Sequence, residues 1–286
     1  MRDDAYGILL TMKGGAGFTI VETLIVLAVT MFMFASAVLL INGRQRSTAF
    51  NQAIRAVQNQ LEQTMSDVGS GYYESDGTIV CQKGVDGGIQ LSTGSDNTQG
   101  TNKDCLFMGK ALQFGVLNTD PERYSVFTVV GLRTASDPET GTFNLQNAKA
   151  RVIARTTTDS GSTPNAFSTP ILQYGLTLKS MYYDSPSNTI GAIGFLSNVS
   201  NLGESDGARR VDVVAFRGTS MHDTTQGSAA AINDSISNGS AVVAPANGVF
   251  MCFSSGGTDQ SGLISIGANG QQGAVTLKIF NNRTCS

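Results

Sequence analysis

The N-terminal part of the chain carries two successive hydrophobic patterns. Residues 24–41 are apolar except for one threonine and one serine. Extended back to Phe18, the apolar run spans a hydrocarbon core of roughly 30 Å at a helical rise of about 1.5 Å per residue. The first pattern therefore predicts a transmembrane helix over residues 18–42.

The second pattern is amphipathic and begins at Gly43. Apolar residues recur there at steps of three and four, with Gln, Asn, Arg and Glu between them: Phe50, Ile54, Val57, Leu61, Met65 and Val68. This spacing places them in one stripe on a helix, which the glycines at 69 and 71 are expected to end. We expect a helical stem over residues 43–68 whose stripe packs on a β-sheet. A free amphipathic helix on a membrane surface is the alternative.

In residues 69–286 short apolar runs alternate with polar loops, which predicts a β-rich head. The expected strands are residues 111–117, 124–132, 151–155, 171–181, 210–217 and 248–253. A terminal hairpin is expected from residues 262–267 and 274–280, which flank an Asn-Gly turn. Four segments poor in hydrophobic residues are expected to be loops: residues 84–104, 134–148, 157–170 and 218–240. The fold class is therefore α+β.

Composition and charge narrow the classes of function. The 286 residues carry a net charge of −3, and only 14% of them are charged. A broad electrostatic surface for nucleic acid is therefore disfavoured. The single histidine, His222, argues against most His-dependent hydrolases and multi-His metal sites. Residues 96–104 resemble a calcium loop in composition only, without the acid spacing of an EF-hand. We expect no catalytic residue, metal or cofactor, and no enzyme activity.

Four cysteines are present: Cys81, Cys105, Cys252 and Cys285. None forms a C-x-x-C pair, so the spacing does not suit a zinc ribbon or a thioredoxin-like motif. An even count beyond a membrane span favours disulfides in an oxidising compartment, with free thiols in a reducing one as the alternative. Of the three connectivities we favour Cys81–Cys105 and Cys252–Cys285, because both close short loops.

Arg209, Arg210 and Arg217 form the strongest local group of cations in the expected head. A solvated strand end is the simplest interpretation of this group. The functional alternative is contact with DNA or another phosphate-bearing surface. A few basic residues would supply weak, salt-sensitive affinity without sequence selectivity.

Two features distinguish the apolar segment from an ordinary signal peptide. Its small residues, at positions 14–17, precede the apolar run, whereas a signal peptide carries them after it. A single acid, Glu22, stands near the start of the expected span. A carboxylate within a membrane costs free energy and is by default a functional hypothesis, unless it lies close enough to the interface to reach water.

The stretch GFTIVE at positions 17–22, followed by TLIVL, resembles the class III leader junction of type IV pilins and pseudopilins. The resemblance implies a cytoplasmic leader over residues 1–17 that prepilin peptidase removes after Gly17. It also implies methylation of Phe18, and a role for Glu22, the fifth mature residue, in joining other pilin subunits. The head is similar in pattern to the β-sandwich-like heads of the H-type minor pseudopilin and related minor pilins.

The resemblance implies a structural, minor subunit of a type IV pilus-like fibre. The subunit would be a single-pass membrane protein with an extracytoplasmic head, which reaches the cell surface or a pilus after processing. Two features depart from the simplest pattern. The leader holds acids as well as bases, and Arg44 and Arg46 follow the span, where the positive-inside rule points the other way. A pseudopilin of a secretion system is the near alternative, and a membrane-anchored surface enzyme or binding protein is the alternative of another class.

Overall fold

The fold is an N-terminal apolar helix followed by a β-rich domain, which is the α+β class that the sequence predicts. The chain divides into two compact units, Met1–Gln45 and Arg46–Ser286. The computed structural model describes residues 19–72, 79–83, 89–93, 105–115, 122–132, 149–153, 170–197, 211–219, 229–256, 259–268, 273–281 and 285.

Helix α1 covers Ile20–Ser70 and ends in a Schellman motif. Gly71 takes a φ of 74°, in the left-handed region that a residue without Cβ adopts at little cost. The N–H of Gly71 donates to the carbonyl of Val68 at 3.1 Å, and the N–H of Tyr72 donates to that of Asp67 at 2.8 Å. The helix therefore ends two residues beyond its expected last residue, at the second of the two glycines.

The apolar stripe of the α1 stem is buried. All six residues of the stripe are at most 9% exposed: Phe50, Ile54, Val57, Leu61, Met65 and Val68. They belong to one hydrophobic cluster that also contains residues of two β-sheets. The stem thus packs on sheets, as its periodicity predicts, and this burial does not fit an amphipathic helix on a membrane surface.

The described strands are all antiparallel to their neighbours and form three sheets. They are β1 Ile79–Lys83, β2 Ile89–Thr93, β3 Cys105–Phe114, β4 Tyr124–Leu132, β5 Arg151–Ile153, β6 Leu176–Tyr183, β7 Ala192–Ser197, β8 Val211–Phe216, β9 Val242–Val243, β10 Val249–Ser255, β11 Gln260–Ile266 and β12 Val275–Asn281. One sheet has six strands in the order β5-β4-β3-β7-β8-β9, and another has four in the order β12-β11-β10-β6. Strands β1 and β2 pair with each other.

The six-stranded sheet is covered on both faces, which is visible along β4. Tyr124 and Val126 join the cluster that contains the α1 stem and the four-stranded sheet. Phe127 and Val129 point to the opposite face and join a second cluster with Ile232 of a short helix, α2, at Ala229–Ser237. Because successive side chains of a strand alternate between the two faces, every residue of β4 is buried.

Several elements differ from the sequence prediction. Helix α2 and strand β2 lie in segments expected to be loops, and β1, β7 and β9 were not predicted at all. Helix α2 is short, and a contact with another element stabilises it. The Oδ1 of Asn233 on α2 accepts a hydrogen bond from the N–H of Val152 on β5 at 2.8 Å. Strand β6 begins at Leu176, not at Ile171, because Gln173–Gly175 form a 3₁₀ turn. The other expected strands overlap observed ones with shifted ends.

A disulfide joins Cys252 on β10 to Cys285, with their Cα atoms 5.8 Å apart. This is one of the two pairings that the sequence predicts, and it ties the C-terminal region to the four-stranded sheet. Cys81 is the central residue of β1, and Cys105 is the first residue of β3. The side chains of these two cysteines lie outside the described part of the chain, so their pairing stays a prediction.

Candidate functional site in the N-terminal helix

The first part of α1 presents an apolar surface that the described residues do not cover. Ile20–Val38 has a mean hydropathy of 2.1, with 0% of it buried, and is long and apolar enough to cross a membrane. Ile20, Phe32 and Phe34 are 80%, 78% and 74% exposed. Soluble monomers rarely expose contiguous apolar patches of more than a few hundred Å². Such a surface therefore needs a partner, which lipid or other apolar helices would supply.

The hydroxyl groups within this segment are satisfied inside the helix. Each hydroxyl donates to the backbone carbonyl three residues earlier, at 2.8 Å for Thr23, 2.9 Å for Thr30 and 2.8 Å for Ser36. A satisfied hydroxyl can enter an apolar environment without leaving an unpaired polar group. These three residues therefore do not oppose burial of the segment in lipid or between helices.

Glu22 is the one charged side chain of Ile20–Val38 and lies in the first turn of α1. Its backbone N–H donates to the Oγ1 of Thr19 at 3.3 Å, so Thr19 caps the helix. The Glu22 carboxylate accepts no hydrogen bond and forms no ion pair with the described residues. A negative charge in the first turn is favoured by the helix dipole, but it still lacks a specific partner.

The cap on Thr19 is a feature that the sequence analysis missed. Thr19 and Glu22 have the spacing of a capping box, in which Ser or Thr stands three residues before Glu or Gln. That signal is readable from the sequence directly before the apolar run. It gives Glu22 a local role that does not depend on the expected role in fibre assembly, since an acid at this position stabilises the start of a helix. Gly17 and Phe18, the expected processing residues, lie outside the described residues.

Arg217 has a partner inside the protein. Its side chain is exposed at the end of β8, and its Nε donates to the hydroxyl of Tyr183 on β6 at 2.5 Å. The guanidinium carbon lies 5.6 Å from the centre of the Tyr183 ring. This contact joins the six-stranded sheet to the four-stranded sheet. Arg209, Arg210 and His222 lie outside the described residues, so contact with DNA through the arginines stays a prediction.

Similarity to known proteins does not assign the chain to a family. Neither a protein-family model, nor a curated protein, nor a solved structure matches it. Among the residues that the structure describes, no group of three His, Cys, Asp or Glu side chains could hold a metal ion. The likeness to pilins therefore rests on the sequence of residues 14–41, which contains the expected leader junction and the apolar part of α1.

Proposed function

We propose that the protein is a structural, minor subunit of a type IV pilus-like fibre, which prepilin peptidase processes and which assembles through its N-terminal helix. The observation that carries the proposal is Glu22. It is a lone carboxylate without a partner among the described residues, in the first turn of an apolar and uncovered helix. A pseudopilin of a secretion system, built on the same helix, is the near alternative.

The proposed assembly step pairs Glu22 with the N-terminus of a neighbouring subunit. Cleavage after Gly17 leaves a positively charged amine on Phe18. Two unit charges 4 Å apart gain about 1 kcal/mol in water and about 4 kcal/mol at an effective dielectric constant near 20. Packing of the apolar helices supplies most of the cohesion, while the charge pair selects the axial register. An unpaired amine or carboxylate in the fibre interior would be costly.

The proposal places residues 69–286 outside the cytoplasm as a sandwich-like head. The Cys252–Cys285 disulfide supports that compartment, because disulfides persist in oxidising environments. The leader of residues 1–17 stays in the cytoplasm and residues 18–42 span the membrane before assembly. Attachment, motility or DNA uptake would belong to the whole fibre. A membrane-anchored surface enzyme would instead show activity of its own toward a substrate.

The deciding experiment separates charge pairing by Glu22 from helix capping. Glu22→Gln removes the charge, whereas Thr19→Ala removes the cap and keeps the carboxylate. Both variants would be expressed in cells that carry the prepilin peptidase and the partner subunits. Mass spectrometry of the mature N-terminus and the amount of protein in sheared fibres would be measured.

We expect wild-type protein and both variants to begin at Phe18 with a methylated amine. Glu22→Gln should be nearly absent from fibres, whereas Thr19→Ala should lose only about 1 kcal/mol of helix stability and still assemble. Equal loss in both variants would indicate that Glu22 acts through the helix start. A mature protein that retains residues 1–17 would contradict the proposed processing altogether.

A further inference from the structure

A half-open groove of about 460 Å³ lies beside β6, the strand that ends the four-stranded sheet in the described chain. Three different elements supply its charged side chains: Arg46 comes from α1, Glu122 from the turn before β4, and Lys179 from β6. All belong to the unit Arg46–Ser286. The volume falls within the range of roughly 300–1,000 Å³ that is common for small-ligand sites.

The charges in this groove are not neutralised by the described residues. Arg46, Glu122 and Lys179 form no ion pair with the described residues; the ion pair that these residues contain joins Lys110 on β3 to Asp67 of the stem. The formal charges of the three side chains sum to one positive charge. The groove would therefore attract a ligand with negative charge, and a single carboxylate would neutralise it.

An aromatic ring stands at the same groove in a strained backbone conformation. Tyr174 has a φ of 57°, which is uncommon for a bulky residue, and its side chain is 58% exposed. Its carbonyl accepts a hydrogen bond from the Oγ of Ser255 at 3.4 Å. Such backbone conformations concentrate at functional sites, where the surrounding structure holds them in place. The turn therefore keeps an exposed tyrosine at the groove that Arg46, Lys179 and Glu122 also line.

We propose that this groove binds an anionic saccharide unit, a pyranose ring that bears one carboxylate. The Tyr174 ring offers an amphipathic face for the C–H surface of the sugar. Lys179 and Arg46 offer charge-assisted hydrogen bonds to the carboxylate, and Glu122 accepts hydrogen bonds from sugar hydroxyls. An apolar ligand does not suit the groove, because it would bury these polar groups without partners. The inference is independent of the fibre role.

The test uses the full chain in micelles of a detergent without a sugar headgroup. Isothermal titration calorimetry would compare methyl β-D-glucuronide with the neutral methyl β-D-glucoside, which differs by the carboxylate. A ligand of this size is expected to bind with a dissociation constant on the order of 1 mM. The glucoside should bind about tenfold more weakly or not measurably, because it forms no charge-assisted hydrogen bond.

Three substitutions locate the site. Lys179→Gln should weaken glucuronide binding about tenfold. Tyr174→Asn should weaken it about fivefold, and since Asn tolerates the left-handed conformation, the thermal midpoint should not fall. Lys278→Gln, on β12 of the same sheet and outside the groove, is the matched control and should leave binding unchanged.

Three outcomes would overturn the inference. The first is no saturable glucuronide binding, and the second is binding that Lys179→Gln and Tyr174→Asn leave unchanged. The third is equal affinity for the glucoside, which would show that the charges do not select the ligand. Vesicles of phosphatidylglycerol form a separate arm. The apolar helix binds vesicles by itself, so the readout is the difference between wild-type protein and Lys179→Gln. Vesicle binding that Lys179→Gln weakens, without any glucuronide binding, would assign the cations to a lipid headgroup and would reject the saccharide.

Discussion

Ile54 occupies the space into which a Cβ at position 262 would project. The Cδ1 of Ile54 on α1 lies well inside contact distance of that point, and the Phe50 ring lies 3.5 Å from it. Gly262 is in β11 of the four-stranded sheet, and the Ile54 side chain is 0% exposed. The missing side chain at 262 therefore lets the stem pack directly against the sheet.

Gly262→Ala should destabilise the protein by about 1–3 kcal/mol, because the new methyl group overpacks the contact with Ile54. Urea denaturation of the full chain in detergent would measure the loss. Gly256→Ala is the matched control: no atom lies within 4 Å of a Cβ at that position. The control should change the free energy of unfolding by less than about 0.5 kcal/mol.

A second substitution identifies the clashing atom. Ile54→Val removes Cδ1, and alone it should cost about 0.5–1.5 kcal/mol. Combined with Gly262→Ala it should relieve the clash, so the double variant should be more stable than the sum of the two losses predicts. Strictly additive losses would show that the two residues do not meet as described.

The Thr219 hydroxyl is predicted to stabilise the protein by linking the start of β7 to the end of β8 through hydrogen bonds. It accepts hydrogen bonds from the N–H groups of Gly191 and Ala192, both at 3.0 Å, and donates to the carbonyl of Phe216 at 2.6 Å. Thr219 is only 5% exposed. Thr219→Val keeps the volume but leaves two buried donors without an acceptor, which should cost about 1–3 kcal/mol.

The matched control for Thr219 is Thr219→Ser, which keeps the hydroxyl and removes a methyl group. It should cost less than about 1 kcal/mol. Hydrogen exchange at the amides of Gly191 and Ala192 gives an independent measurement, since both should exchange faster in the Val variant only. Equal protection in the two variants would refute the role of the hydroxyl.

Tyr124 should make the protein less stable at alkaline pH. Burial raises the pKa of Tyr124 to about 12 from its ordinary value of 10.0. The folded state then holds a proton that the unfolded state releases, so this stability is complete below pH 10 and is lost as the pH rises towards 12. Between pH 9 and 11 the loss should be on the order of 1 kcal/mol.

Tyr124→Phe tests this pH dependence, because it keeps the ring and removes the titrating group. Urea denaturation of both proteins at pH 9 and pH 11 should show a smaller loss of stability in the variant. Other groups that titrate in this range affect both proteins alike, so the difference belongs to Tyr124. Identical losses in the two proteins would contradict the prediction.

The disulfides can be tested by non-reducing peptide mapping. One linked peptide should contain Cys252 and Cys285, and a second should contain Cys81 and Cys105. Replacing Cys252 and Cys285 together by alanine should lower the free energy of unfolding by about 3 kcal/mol, since the bond closes a loop over a sequence separation of 33. Linked peptides with crossed partners would refute the pairing.

The local sequence was sufficient to predict helix α1 and some of the strands. The stripe from Phe50 to Val68 predicted both the stem and its buried face, because helical periodicity depends only on neighbouring residues. Gly71 ends the helix for a similar local reason, and the cap on Thr19 could have been read from its spacing to Glu22. Strand β4 was predicted with its observed ends, since its apolar run is long and is bounded by polar residues.

Other parts of the protein depended on contacts between distant residues. Helix α2 was expected to be a loop, because its segment has only a weak pattern of its own. It is held by Ile232, which is buried in the second core, and by the hydrogen bond from Val152 on β5 to Asn233. The groove is a stronger case, since it gathers side chains from positions 46, 122, 174 and 179. The sequence alone determined the apolar helix, its caps and the chemistry of Glu22, which depend on adjacent residues. Only the tertiary structure decided that Gly262 meets Ile54 and that three charged side chains line one groove with Tyr174, because separate elements pack together at both places.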